Sequence, residues 1–336
     1  MGLFSDLLAE RGFLLTDGAT GTNLFNMGLT AGDAPELWNV DKPDNIRKLY
    51  QGAVDAGSDL FLTNSFGGNA SRLKLHNAQD RVFELNKIAA ELGREVADKA
   101  DRKVIVAGSM GPTGDIFQPV GTLSHEEGVE MFEEQARGLI AGGADVLWVE
   151  TISAPEEYRA AAEAIGNVGA EWVGTMSFDT AGRTMMGVTS EGMVDLVESL
   201  GHKPVAFGAN CGVGASDILR TVLGMAPTAQ RPIVSKGNAG IPKYVEGHIH
   251  YDGTPEVMAQ YAVMARDAGA AVIGGCCGTM PEHLRAMRAA LDSTPKGDAP
   301  SLEEIAAALG GFSSDSDGTG DPADAPKRQR RSRRRG

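Results

Sequence analysis

Short apolar runs recur along the chain at residues 13–17, 59–63, 104–108, 145–150, 171–177, 205–210, 232–235 and 271–275. Most are continuous stretches of Val, Ile, Leu and Phe rather than apolar–polar alternations. That is the pattern of strands covered on both faces in a parallel sheet. Longer stretches with helix-start signals lie between them. Pro43-Asp44-Asn45 opens one, and Ser124-His125-Glu126-Glu127 is a capping box for another. Ala154-Pro155-Glu156 opens a third, and Thr254-Pro255-Glu256 sets a capping threonine before a first-turn proline. Eight strand–helix units predict an α/β fold, a (β/α)8 TIM barrel. A doubly wound open sheet is the alternative, but it would usually have fewer units.

A barrel makes a test of itself, because such folds build their sites at the C-terminal ends of the strands. The chemically suggestive residues fall there. Asp17 follows the first run, Asn64 the second, and Glu150 closes the fourth. Cys211 follows the sixth, Asn238 the seventh, and Cys276 and Cys277 the eighth.

The three cysteines of the chain all sit in two of these turns, Ala209-Asn210-Cys211-Gly212 and Gly274-Gly275-Cys276-Cys277-Gly278. Neighbouring Cα atoms are about 3.8 Å apart, whereas unstrained disulfides want roughly 4.4–6.8 Å, which argues against a vicinal bridge. The flanking glycines let the backbone leave strand geometry and turn both sulfurs toward one centre. Three converging thiolates make a Zn²⁺ site with an open fourth position, the form that catalytic zinc takes. The bland alternative is three buried cysteines acting as small hydrophobes.

Composition narrows the setting. A chain of 336 residues with 42% hydrophobic content suits one large barrel with an extension. It has no apolar run of membrane-spanning length. Met1 to Arg11 carries Asp6 and Glu10 and does not read as a secretory signal. Free thiols without a signal predict a cytoplasmic protein. A net charge of −14 argues against general nucleic-acid binding. The barrel and its extension are expected over residues 1–311, with a short helix at 302–309. Residues 312–336 read as a disordered tail, first acidic (Asp315, Asp317, Asp321, Asp324), then basic (Lys327 to Arg335).

The Gly-Ala-Asn-Cys-Gly and Gly-Gly-Cys-Cys-Gly pair resembles the zinc-dependent homocysteine S-methyltransferase family. That family includes the betaine-dependent enzymes and the homocysteine module of cobalamin-dependent methionine synthase. The resemblance implies Zn²⁺ on Cys211, Cys276 and Cys277, and a homocysteine thiolate that attacks a donor methyl to give methionine. It also makes Asp17-Gly18-Ala19-Thr20-Gly21-Thr22 part of the amino-acid pocket. An aspartate beside backbone N–H groups suits a zwitterion: ammonium to Asp17, carboxylate to the amides of Gly18 and Ala19. Glu150, a carboxylate in a buried strand, needs a partner. The bland partner is a nearby Arg or Lys; the resemblance implies the substrate ammonium.

Gly237-Asn238-Ala239-Gly240 resembles the family's asparagine loop, where an oxygen of Asn238 could be a fourth metal ligand without substrate; an ordinary turn asparagine is the equal alternative. His248 and His250 form His-x-His in what reads as a solvated polar loop. Gly182-Arg183-Thr184 is placed in the turn after the fifth strand. Lys236, at the end of the seventh strand, keeps open a Schiff-base barrel of another class. A non-catalytic zinc-stabilised barrel is a further alternative.

The donor is read from what surrounds the site. An aromatic cage is the physical means of binding betaine. The positions where the betaine branch would place it hold Gly32-Asp33, Gly67-Gly68 and Thr151-Ile152, with Trp38 and Phe66 close by. Thr63-Asn64-Ser65-Phe66 and Glu150-Thr151 look more like the methionine synthase module. The expectation is a stand-alone homocysteine-activating subunit that meets a separate methylcobalamin (corrinoid) protein. A small onium compound, betaine or S-methylmethionine, is the alternative donor.

Overall fold

The computed structural model describes residues 2–240, 243–245 and 248–319, with 243–245 and 248–250 described by backbone alone. Eight strands form one all-parallel sheet: β1 (Leu14–Leu15), β2 (Leu60–Leu62), β3 (Ile105–Met110), β4 (Val146–Ile152), β5 (Trp172–Met176), β6 (Ala206–Cys211), β7 (Ile233–Gly237) and β10 (Ala270–Gly275). Their order is β1-β10-β7-β6-β5-β4-β3-β2. β1 and β2 meet at the seam, where Asp59 N donates to Leu15 O at 2.7 Å and Leu62 N donates to the Asp17 carboxylate at 2.9 Å. The predicted (β/α)8 barrel is therefore the observed fold, nearly closed.

The apolar runs are continuous because both faces of each strand are covered. Leu60, Leu62, Ile105, Ala107, Val146, Trp148, Val173, Val234 and Val272 point inward and fill the barrel. Phe61, Val106, Leu147, Val149, Phe207, Ile233 and Ile273 alternate with them and pack under the helices. Phe4 and Leu7 of the helix Leu3–Arg11 complete the inner cluster from the N-terminal end. The sequence reading missed this helix. Asp59 fastens that end: it accepts from Leu15 N at 2.8 Å and pairs with Arg11 and Arg288. The predicted helix starts hold, with a full capping box at Ser124, a capping Thr254, and prolines opening Pro43–Asp55 and Pro155–Val168.

Two expectations change. The stretch read as a polar loop around the His-x-His pair contains an antiparallel hairpin, β8 (Lys243–Val245) with β9 (His248–His250). The side chains of His248 and His250, and any metal binding by them, lie outside the described residues. The boundary expected at residue 311 is also softer than the composition suggests. Helix Leu302–Leu309 forms as predicted behind a Ser301 capping box. Beyond it, Arg220 lies 4.6 Å over the Phe312 ring and donates to Ser314 O at 2.8 Å. Ser313 N donates to Asp217 at 3.0 Å. Gly182, at φ +81° in the loop after β5, is so close to Asp317 that a Cβ there would lie 2.3 Å from its backbone. The tail thus runs along the barrel rim as far as residue 319; Asp321, Asp324 and the basic half fall outside the described residues.

Candidate active site

The mouth of the barrel is shaped by two cysteine turns. β6 ends at Cys211, which adopts a left-handed φ of 61°, followed by Gly212 at 73°. A non-glycine residue held there costs about 1–3 kcal/mol and persists only when its surroundings fix it. After β10 the chain passes through Cys276 and Cys277 to Gly278, at φ 79°. A Cβ on Gly275 would lie 2.3 Å from the Thr279 side chain, so this turn needs glycine to close.

The loop after β7 joins the two turns. Cys276 N donates to Gly237 O at 2.8 Å and Ala239 N to Cys277 O at 2.9 Å. The Asn238 amide uses both ends: its Nδ2 donates to Gly212 O at 2.9 Å, and its Oδ1 accepts from Cys277 N at 3.0 Å. Asn238 is a brace between the cysteine turns, a role that neither sequence reading named.

The result is three half-buried sulfurs within 4.8 Å of one another, with Cys211 Sγ and Cys277 Sγ 3.9 Å apart. Tetrahedral ligation at about 2.3 Å per sulfur places ligands ~3.8 Å apart, so the set fits a thiophilic divalent metal. Among the described residues this is the one group of three or more ligand-type side chains brought together. The thiols also need a cation. Hydrogen bonding from Cys276 favours the Cys211 thiolate, but the Cys277 contact and burial outweigh it and push the thiol up to about 11. Cys277 is stabilised by Cys211, yet Cys276 and burial take it up to about 12. The hydrogen bond to Cys211, together with burial, drives Cys276 higher still. Alone, all three stay protonated near neutrality; a metal in their midst is what would make them thiolates.

Beside the sulfurs lies a buried charged cluster. Asp17 Oδ1 accepts from Lys236 Nζ at 2.7 Å, and Oδ2 accepts from Leu62 N at 2.9 Å. Glu150 reaches the mouth through an irregularity in β4, where pairing with β5 slips between Val149 and Ile152 and Thr151 takes a φ of 63°. Ser109 Oγ donates to Glu150 Oε1 at 2.6 Å. Burial pushes the Glu150 carboxyl above its ordinary range, and Lys236 and Ser109 pull back only in part. Burial would depress the Lys236 ammonium, but the Asp17 and Glu150 carboxylates hold it above the usual lysine value. A Schiff-base lysine needs the opposite shift, which removes the reason for treating Lys236 as a nucleophile.

Asn210 links the two halves. Its Oδ1 accepts from Thr151 N at 2.8 Å and Thr175 Oγ1 at 2.7 Å. Its Nδ2 donates to Thr151 Oγ1 at 2.7 Å and lies 3.8 Å from Cys276 Sγ. Its place immediately before Cys211 in the Gly-Ala-Asn-Cys-Gly turn was the available signal.

Other expected residues take quieter roles. Ala19 N donates to Thr279 O at 3.1 Å, so one of the two amides expected to meet a carboxylate is already engaged. Asn64 bonds Pro35 O and Asn39 and braces the loop after β2. Trp38 is buried with Lys42 Nζ 3.9 Å over its ring. Phe66 lies against Gly111, where a Cβ would be 2.7 Å from the ring. Tyr251, which the sequence reading did not single out, packs on Gly278. Burial, then the nearby Cys277, raises its phenol well above the ordinary tyrosine value.

Comparison with known proteins agrees with this geometry. The chain is 30% identical over 302 residues to a methionine synthase of Mycobacterium tuberculosis, covering 85% of this chain and 25% of that protein. The methionine synthase of Mycobacterium leprae is also 30% identical, over 312 residues, covering 88% and 26%. The chain thus spans about a quarter of the length of these relatives. Among solved structures, the homocysteine methyltransferase MmuM from Escherichia coli in its metallated form superposes with a TM-score of 0.70 at 25% identity, covering 84% of this chain and 98% of that one. The homocysteine S-methyltransferase family profile matches residues 14–291. That match runs from the first barrel strand past the last cysteine turn, and on its extent this chain belongs to the homocysteine S-methyltransferase family.

Proposed function

We propose that the chain transfers a methyl group to the thiol of homocysteine to give methionine, with Zn²⁺ held by Cys211, Cys276 and Cys277. The observation that carries this reading is the gathering of three thiols at the mouth of a barrel of this family. When bound, the zinc supplies the positive charge that turns thiol ligands into thiolates and leaves a coordination position for a further sulfur. The protein's own groups do the rest. Glu150 and Asp17 meet the substrate ammonium, and the Gly18 end of the first loop takes its carboxylate. Asn238 and Asn210 keep the cysteine turns and the acidic cluster in register. In the transfer, a bond forms between the substrate sulfur and the methyl carbon as the donor–methyl bond breaks, its electron pair leaving with the donor. No protein base is required for that step. Reduced cysteines as ligands fit a reducing compartment, the cytoplasm.

For the donor we propose methylcobalamin presented by a corrinoid protein. Trp38 is buried under Lys42, and Phe66 is half-buried with its ring against Gly111, an arrangement that does not favour a cage around a quaternary ammonium. Ile116 and Val120 after β3, and Met185 and Met186 after β5, are exposed on the face where the strands end, which suits a large apolar partner. The test is methionine formation by zinc-loaded protein from homocysteine with free methylcobalamin, betaine or S-methylmethionine. Slow transfer from methylcobalamin alone is expected. Efficient turnover with betaine or S-methylmethionine would replace the donor, and no methionine from any donor would favour a non-catalytic zinc barrel.

A further inference from the structure

Lys236 is the one group of the charged cluster that the proposed transfer does not use. It is 2% exposed, and its ammonium lies 2.7 Å from Asp17 Oδ1 and 5.5 Å from the centre of the Trp148 ring. The pairing of β7 sets it beside Asn210 of β6 and Gly274 of β10, one step before Gly237, whose pairing partner on β6 is Cys211. Thr16 closes in on the same spot, since a Cβ on Gly274 would lie 1.8 Å from its hydroxyl. A buried ammonium in a packed barrel has little freedom, and so little tolerance for a displaced partner. Asp17 is correspondingly gripped from two sides, by the Lys236 side chain and by the Leu62 backbone.

We propose that Lys236 is a positioning residue: its buried ammonium fixes the Asp17 carboxylate in the place from which it meets the substrate ammonium. Lys236 acts through Asp17 and makes no bond to substrate. The pairing also divides the work. Asp17 is already neutralised by Lys236, so Asp17 orients the incoming ammonium, and Glu150 supplies the charge that balances it. This inference rests on the reading that Asp17 recognises homocysteine.

The experiment compares zinc-loaded wild type, Lys236→Met, Asp17→Asn, the double variant and Lys236→Arg. Homocysteine affinity, kcat and KM, zinc content, and stability in urea are measured for each. Lys236→Met should weaken homocysteine binding about ten- to a hundredfold, the usual effect of disturbing one charged hydrogen bond. The loss should fall mainly on KM, with zinc content unchanged. The double variant should bind no more than about threefold worse than Asp17→Asn, because non-additivity marks residues acting as a unit. Lys236→Arg should recover part of the affinity. Wild-type affinity in Lys236→Met, or a double loss equal to the product of the single ones, would overturn the proposal.

The urea data need no substrate and cover the case in which Lys236→Met folds poorly. Removing both partners should then be less damaging than removing lysine alone. Strictly additive stabilities would overturn the pairing. If wild type binds no homocysteine while the stability cycle still shows coupling, the functional reading fails and the ion pair stands.

Discussion

Cys211, Cys276 and Cys277 occupy strand ends that a barrel of this topology must bring together, and their convergence could be read directly from position and spacing. Replacing any one with Ala should release most of the metal and lower methyl transfer by two orders of magnitude or more, as loss of one ligand from a three-residue set does. Metal analysis of the purified variants checks this, and full zinc retention in all three would contradict it. Glu150 was legible as a buried carboxylate but its surroundings were not, because Lys236 and Ser109 reach it from strands far away in sequence. Burial holds its folded pKa above the unfolded value, so its favourable contribution is complete below the ordinary glutamate range and is lost as pH rises through the raised value. At neutral pH the buried carboxyl therefore weakens the fold relative to acid. Glu150→Gln should melt a few degrees higher than wild type at pH 7, with the gap closing toward acid, while homocysteine binding falls about tenfold or more. Melting curves across pH, paired with binding titrations, test both halves; a variant less stable than wild type at neutral pH would show that burial is not the dominant influence.

At the scale of elements, periodicity located all eight barrel strands, because parallel strands covered on both faces have a strong apolar signature. What escaped was set by tertiary contact. The helix Leu3–Arg11 is held by Phe4 and Leu7 inside the barrel and by Gly2 N donating to Glu171 at 2.9 Å, none of which is local information. The rim segment after Gly311 escaped for a like reason: its composition is that of a tail, yet the buried Asp217–Arg220 pair supplies partners for Ser313 and Ser314. Truncation after Gly311 strips that pair of its backbone contacts. It should lower the melting temperature by several degrees, at about 1–3 kcal/mol for the lost contacts and roughly 2–4 °C per kcal/mol in a chain of this size. Truncation after Thr319 keeps those contacts and should lower it less. Equal melting temperatures for the two truncations would show that the rim contacts carry no stability.

At the scale of the whole molecule, the barrel acts as a collar. Alternate residues of every strand fill the interior, the helices cover the outside, and the strained positions at Thr151 and Cys211 both lie at the mouth. Irregular backbone stands there because rigid strands on all sides can hold it, as functional sites commonly require. The acidic cluster and the cysteine cluster are adjacent through Asn210 and Lys236, so the function proposed above would hold an amino acid and its sulfur side by side. If the metal on the three cysteines receives the homocysteine sulfur, its ligand set must change when substrate binds. Sulfur coordination at the zinc of the full chain, measured by X-ray absorption before and after adding homocysteine, tests it most directly. Three protein sulfurs are expected without substrate and four sulfurs with it; a count unchanged by homocysteine would mean that its sulfur does not reach the metal.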